Sequence, residues 1–214
     1  MTPSMRIALI HALRHSPPPI EAAFARLWPE AELCNLLDDS LSADLARTGM
    51  LDHAMTERFL TLGRYARNTG ADAILFTCSA FGPCIEAVIA DLAPMPVLKP
   101  NQAMIDQAVA HGGRVGLLAT FGPTLATMPA EFPSGWPVQT ALAQGALAAL
   151  DAGDVSRHDA LAARQALTLR DCDVIALAQF SLARAAAAVA AATGKPVLTT
   201  PDCAIQALRR QLLG

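Results

Sequence analysis

Two seven-residue stretches decide the fold: Asp72-Ala73-Ile74-Leu75-Phe76-Thr77-Cys78 and, 101 positions later, Asp173-Val174-Ile175-Ala176-Leu177-Ala178-Gln179. Each opens on an aspartate, runs through four or five apolar residues and closes on a side chain that carries chemistry. An unbroken apolar run of that length reads as a strand buried on both faces, the habit of parallel sheets. The neighbourhoods repeat as well. Arg6–His11 (RIALIH) precedes the first stretch as Arg114–Ala119 (RVGLLA) precedes the second. Pro96-Val97-Leu98 follows the first and Pro196-Val197-Leu198 the second, 18 positions after Cys78 and 17 after Gln179. Three matches in one order at near-equal spacing indicate an internal duplication.

Helical patterns fill the intervals. Ile20, Ala23, Phe24, Leu27 and Trp28 form an i, i+3, i+4, i+7, i+8 stripe after Pro17–Pro19. Residues 32–37 read as a weaker strand and 51–68 as a helix ending near Gly70. Asn101 is placed to cap a helix bearing Met104, Ile105, Ala108 and Val109, with Gly112 as its stop. Asp38-Asp39 reads as a solvated acidic turn, or as capping before a short turn at residues 43–47. Met50, Met55 and Met104 read as gap-filling core. Strands separated by helices imply right-handed βαβ units. The expected fold is therefore α/β: two similar lobes with parallel sheets flanked by helices, related by a pseudo-twofold duplication. The first lobe is expected over 1–99 plus 200–214 and the second over 100–199. Ligands of open α/β sheets bind at the carboxyl ends of strands, so the active site is expected in the cleft between lobes, with Cys78 and Gln179 on opposite walls.

Composition narrows the function. The chain has 214 residues, enough to bury a core without disulfide or metal support. Apolar residues make up 53% and aromatics only 5%, so that core must be largely aliphatic. A net charge of −3 without a basic run leaves no electrostatic footprint for nucleic acid or an anionic membrane. Five cysteines, an odd number, with no cationic segment or h-region at the start, point to reduced thiols and a cytoplasmic location. No stretch reaches the length of a membrane span. The alanine-rich segment 183–192 reads as a helix. GxGxxG, Walker and HExxH patterns are absent, so neither a nucleotide nor a zinc cofactor is expected.

The segment Phe76-Thr77-Cys78-Ser79-Ala80-Phe81-Gly82 resembles the first catalytic-cysteine motif of the aspartate/glutamate/hydantoin racemase superfamily. Leu177-Ala178-Gln179-Phe180-Ser181 falls where that family's second motif, usually Gly-Cys-Thr or Gly-Cys-Ala, would lie. Gly116-Leu117-Leu118-Ala119-Thr120 with Pro123-Thr124-Leu125 resembles the start of the family's second lobe. The resemblance implies proton transfer at the carbon α to a carboxylate, without cofactor, by one cysteine from each lobe. Here Cys78 is kept and Gln179 stands in the second place. An amide binds a carboxylate but transfers no proton near neutral pH. Arylmalonate decarboxylase, a relative, also has one cysteine, in the other half. Relatives also imply a homo-oligomer.

The chemistry asks for a proton carrier of suitable pKa and for donors to a developing enediolate. A thiol just before a helix N-terminus supplies the first. The backbone N–H groups of Ser79, Ala80 and Phe81 supply donors, and Gln179, Phe180 and Ser181 offer an equivalent cluster. Ser181 is in addition a candidate proton relay. His11, ending the first strand, is a candidate for contacting substrate or tuning Cys78, although a lone histidine is more often structural. Thr120 and Thr124 are candidate carboxylate donors, with N-capping as the plainer role. Cys34, Cys84 and Cys172 read as core, and Cys203 as a packing residue at a helix start. The functions that follow are an isomerase acting on a small amino-acid-like or hydroxy carboxylate, a lyase or decarboxylase using Cys78 as its single proton donor, or a non-catalytic small-molecule binding module.

Overall fold

A computed structural model describes residues 4–214. In chain order the elements are β1 (Arg6–His11), α1 (Pro17–Leu27), β2 (Glu32–Leu37), α2 (Ser40–Thr48), α3 (His53–Asn68), β3 (Ala73–Phe76), α4 (Gly82–Leu92) and β4 (Val97–Leu98). There follow α5 (Gln102–His111), β5 (Val115–Ala119), α6 (Gly122–Thr127), β6 (Val138–Leu142), α7 (Ala146–Asp151), α8 (Val155–Ala166), β7 (Val174–Leu177), α9 (Ala186–Thr193), β8 (Val197–Thr199) and α10 (Thr200–Leu213). The chain divides into two compact units. One is formed by residues up to Pro100 together with Ala204–Gly214, the other by Asn101–Cys203.

Each unit holds a four-stranded sheet, in the order β2-β1-β3-β4 and β6-β5-β7-β8. Every pairing is parallel. The inner strands are apolar because helices cover both faces: residues 73–76 and 174–177 are all buried.

The duplication holds at the level of single hydrogen bonds. Ile7 pairs with Ala73 and Val115 with Val174 in the same register. At the amino end of each inner strand an aspartate accepts a backbone N–H across the sheet, Arg6 N to Asp72 at 2.7 Å and Arg114 N to Asp173 at 2.6 Å. Asp72 N and Asp173 N return the bond to the carbonyls of Arg6 and Arg114, both at 2.8 Å. At the carboxyl end Thr77 N donates to Ile10 O and Ala178 N to Leu118 O. Gly113 makes room for the second aspartate: its φ is +77° and a Cβ there would collide with the Asp173 side chain.

The two cores differ in material. Under β3, Phe59 stacks on Phe76 with centroids 5.4 Å apart and tilts on Phe81 at 4.9 Å. Such aromatic pairs each contribute roughly 0.5–1.5 kcal/mol beyond the area they bury. In the second unit a core cluster without an aromatic member forms, including Ala162, Ala166, Leu182 and Val189.

Three local expectations are corrected. Residues 43–47 are not a free turn but the body of α2, held at one end by the buried Leu41 and closed by Gly49 in the left-handed conformation. Asp38 is not simply solvated: it accepts from Ser40 and, at 2.6 Å, from Arg58 of α3. Met50, just past that closing glycine, is 61% exposed, whereas Met55 and Met104 are core residues.

Candidate functional site

Cys78 follows β3 directly, in extended conformation (φ −122°, ψ 122°), and is a free, half-buried thiol. A single 3₁₀ turn, Ser79–Phe81, comes next, and α4 starts only at Gly82. The backbone donors beside the sulfur therefore belong to a tight turn rather than to the α-helix itself. Ser79, Ala80 and Phe81 are all buried. Burial pushes the Cys78 thiol pKa up, opposed by hydrogen bonds from the Ala80 N–H and the Ser42 hydroxyl.

Ser42 had no signal in the sequence. It comes from α2, and α2 is fastened by Arg58, which donates to Asp44 at 2.7 Å, Asp38 at 2.6 Å and Ser40 Oγ at 2.5 Å. Burial works against the Asp38 carboxylate, yet hydrogen bonds from Ser40 and Arg58 hold its pKa below the usual range.

His11 closes β1, next to β3. Its ring is completely buried. Nδ1 lies 2.7 Å from Thr77 Oγ1 and Nε2 lies 2.8 Å from Asn35 Oδ1. Asn35 in turn donates to Glu21 at 2.7 Å. Burial lowers the His11 pKa, against the opposing influence of Asn35 and the Glu21 carboxylate. Both ring nitrogens are thus engaged within the protein. Asn35 and Glu21 escaped notice in the sequence, although Asn35 is the one polar residue inside the run Leu33–Leu37.

In the second unit Gln179 occupies the place that Cys78 holds in the first. It too is extended (φ −146°, ψ 144°) and followed by a 3₁₀ turn, Phe180–Ala185. Its side chain is buried, and its Oε1 accepts from Thr120 N at 2.5 Å and from Thr120 Oγ1 at 3.0 Å. The amide oxygen is therefore spent on the end of β5, and the NH₂ is the end left for a ligand. Phe180 and Ser181 are buried, and Ser181 Oγ has no hydrogen-bond partner among the described residues. Thr124 is buried in the first turns of α6. Thr200 Oγ1, just after β8, is likewise buried without a partner. The carboxyl edge of this sheet thus gathers buried hydroxyls and an oriented amide, a chemistry suited to an anion's oxygens.

Of the other cysteines Cys84, Cys172 and Cys203 are buried, whereas Cys34, expected in the core, is only partly buried because β2 is an edge strand. Cys84 lies buried on α4 beside Thr56 Oγ1 at 3.6 Å, and burial raises its pKa. Cys172 is buried beside Gln139. Cys203, in the first turn of α10, donates to Gln107 at 3.2 Å. Asn101 stands at the cap position of α5 but makes no side-chain cap, and its Oδ1 is buried without a partner. Among the described residues no group of three or more His, Cys, Asp or Glu side chains is arranged to hold a metal ion, and no helix is long and apolar enough to cross a membrane.

A doubled, all-parallel α/β chain with a free thiol at the tip of one inner strand defines the class. No family model and no curated protein matches the sequence. Solved structures do match the fold. Glutamate racemase from Francisella tularensis, in complex with D-glutamate, superimposes with a TM-score of 0.73 at 14% identity, over 98% of this chain and 81% of that one. Allantoin racemase from Klebsiella pneumoniae gives 0.72 at 17%, over 98% and 88%. A variant of arylmalonate decarboxylase in its sulfate-associated form gives 0.65 at 19%, over 98% and 94%. These structures, together with a maleate isomerase, belong to the Asp/Glu/hydantoin racemase superfamily, and the chain has that superfamily's fold.

Proposed function

We propose that the chain is a cofactor-independent enzyme of the racemase-superfamily type, moving a proton at the carbon α to a carboxylate of a small amino-acid-like or hydroxy acid, with Cys78 as the acid/base. The observation that carries this is the free Cys78 thiol at the tip of inner strand β3, within a Thr-Cys-Ser sequence and ahead of a tight turn whose Ala80 N–H donates to the sulfur. A thiol has the right intrinsic pKa to exchange a proton with a carbon acid, and nearby donors steady the charge that develops. Gln179, Phe180, Thr120 and Thr124 are proposed to bind the substrate's polar groups, with Ser79, Ala80 and Phe81 serving the same end in the first unit. Ser181, whose hydroxyl is unspent, is the candidate relay for a second proton. His11 contributes through Thr77, which its ring contacts.

The engagement of Gln179 with Thr120 favours a second reading, a decarboxylase or lyase in which Cys78 alone delivers the proton. An amide tied through its oxygen offers hydrogen bonds to a carboxylate and nothing to a carbon acid. Candidate carboxylates incubated with the protein in D₂O separate the two. Deuterium appearing at the carbon α of recovered substrate, with no CO₂ or unsaturated product, supports the isomerase. Release of CO₂ with one deuterium fixed in the product supports the decarboxylase. Cys78→Ser turning substrate over at the parent rate would remove the thiol from either scheme.

A further inference from the structure

Four side chains in the first unit form a chain of hydrogen bonds whose direction can be read from one end. Asn35 Nδ2 donates to the Glu21 carboxylate, so the other end of that amide, Oδ1, faces His11 as an acceptor. His11 Nε2, 2.8 Å from this oxygen, must therefore carry the hydrogen. In a neutral ring Nδ1 is then bare, and the contact of 2.7 Å to Thr77 Oγ1 is made by the threonine hydroxyl donating to it. The same hydroxyl lies farther from the Ile10 carbonyl, at 3.3 Å, the partner it would take if the ring became a donor at both nitrogens.

We propose that Glu21, Asn35, His11 and Thr77 are a positioning chain that locks His11 as the neutral Nε2–H tautomer beside the cysteine-bearing strand tip, so that Cys78 is the only proton-transfer group there and rests as the protonated thiol. The proposal deepens the thiol chemistry proposed above and rests on it for its catalytic meaning. A histidine next to a cysteine ordinarily invites an ion pair in which the ring takes the thiol proton. Here both nitrogens are committed before the thiol can use either. The groups facing the ring agree with this: Asn35 comes from β2 and Thr77 from the β3 end, and the carboxylate of Glu21, from α1, hydrogen-bonds the Asn35 amide and acts on the ring by charge from beyond it. Asp38, whose N–H meets the His11 carbonyl, is committed to Arg58. Nε2 meets the neutral Asn35 amide oxygen, and the Glu21 carboxylate beyond that amide favours a second ring proton by less than burial opposes it. A cysteine resting as the thiol gives a proton before it takes one, which fits the decarboxylase reading: cleavage of the carbon–carboxylate bond releases CO₂ and leaves the carbanion, the thiol protonates it, and the thiolate regains its proton from water.

The tautomer can be seen directly. In long-range ¹H–¹⁵N spectra of labelled protein, with the His11 signals identified by their loss in His11→Gln, Nε2 is expected to be protonated and Nδ1 bare. That pattern should persist as the pH falls below the ordinary imidazole value of roughly 6.5, because burial lowers the His11 pKa. The second arm is Asn35→Asp, a substitution at an exposed position that sets a carboxylate against Nε2. His11 should then titrate at higher pH, and alkylation of Cys78 by iodoacetamide near neutral pH, followed by peptide mass mapping, should speed up by about threefold or more as the cationic ring favours thiolate. A ring protonated at Nδ1, a cationic ring in the parent at neutral pH, or an alkylation rate unmoved by Asn35→Asp would each overturn the proposal. Neither readout needs a substrate. A protein with the expected tautomer but no turnover counts against the enzyme reading alone, and an active protein with a cationic His11 counts against the chain alone.

Discussion

The tip of β3 and the tip of β7 are the same place built twice, and they differ in one respect that governs the chemistry. Both follow a fully buried apolar strand, both hold an extended residue, and both pass into a 3₁₀ turn. At the first tip the residue is a sulfur with hydrogen-bond donors directed at it. At the second it is an amide with its oxygen already satisfied by Thr120. In the proposed function the first tip moves a proton and the second holds the substrate still. Duplication thus supplied two equal platforms, and the residue that ends each strand sets them apart.

The comparison is most directly broken at the sulfur. Cys78→Ala is expected to lower proton exchange or decarboxylation by about 10³-fold, within the 10²–10⁴ range of general acid–base groups. Gln179→Ala should instead act on KM, and the reverse pattern would exchange the roles of the two tips. The floors beneath the tips can be contrasted next. Phe59→Ala removes a ring that packs on both Phe76 and Phe81, and should cost about 3–5 kcal/mol in denaturant unfolding. A loss under about 1 kcal/mol would mean that the aromatic floor does not support the cysteine turn. Thr120→Val deletes the hydroxyl on Gln179 but keeps the backbone donor. A cost of about 1 kcal/mol is expected, the net worth of one neutral hydrogen bond.

His11 gives the first tip a pH signature that the second lacks. Its folded-state pKa is depressed by burial, so the unfolded chain takes up the proton first as pH falls. The stability it contributes is complete above roughly pH 6.5 and is lost as pH drops toward the folded value, by at most about 1.4 kcal/mol per unit. His11→Gln should flatten unfolding free energy against pH in that window, and an unchanged slope would assign it to other groups. The smallest effect is expected at Ser42. Ser42→Ala removes one donor to the sulfur, and the pH-rate profile of Cys78 alkylation should move upward, slowing the reaction at neutral pH by about fivefold, one hydrogen bond's worth.

What the sequence disclosed, and what it withheld, follows from range. Strands β1, β3, β5 and β7 are apolar because each is covered on both faces, and such runs are legible without a partner. The edge strand β6, Val138–Leu142, is half-exposed and holds Gln139 and Thr140, so no apolar run marks it. Helix α2 buries little besides Leu41 and owes its place to Arg58, eighteen residues past Ser40, a dependence no local pattern encodes. Cys78 was legible because its strand ends there in both copies of the repeat. Its companion Ser42 was not, since a contact between an α2 hydroxyl and a β3 tip exists only after folding. His11 was visible as a strand-end histidine, but its engagement by Asn35 and Glu21 depends on the pairing of β1 with β2.

The reciprocal aspartate bonds at Asp72 and Asp173 carry a last consequence. They fix the alignment of each inner strand from the end remote from the reactive side chains. Whatever residue arrives at the far terminus, the strand is already seated. Sulfur can give way to amide, or amide to sulfur, without any slippage of the framework behind it. A protein built this way can exchange the residue at a strand tip by editing single letters, while the anchor that keeps those edits harmless stays at the opposite end of the strand.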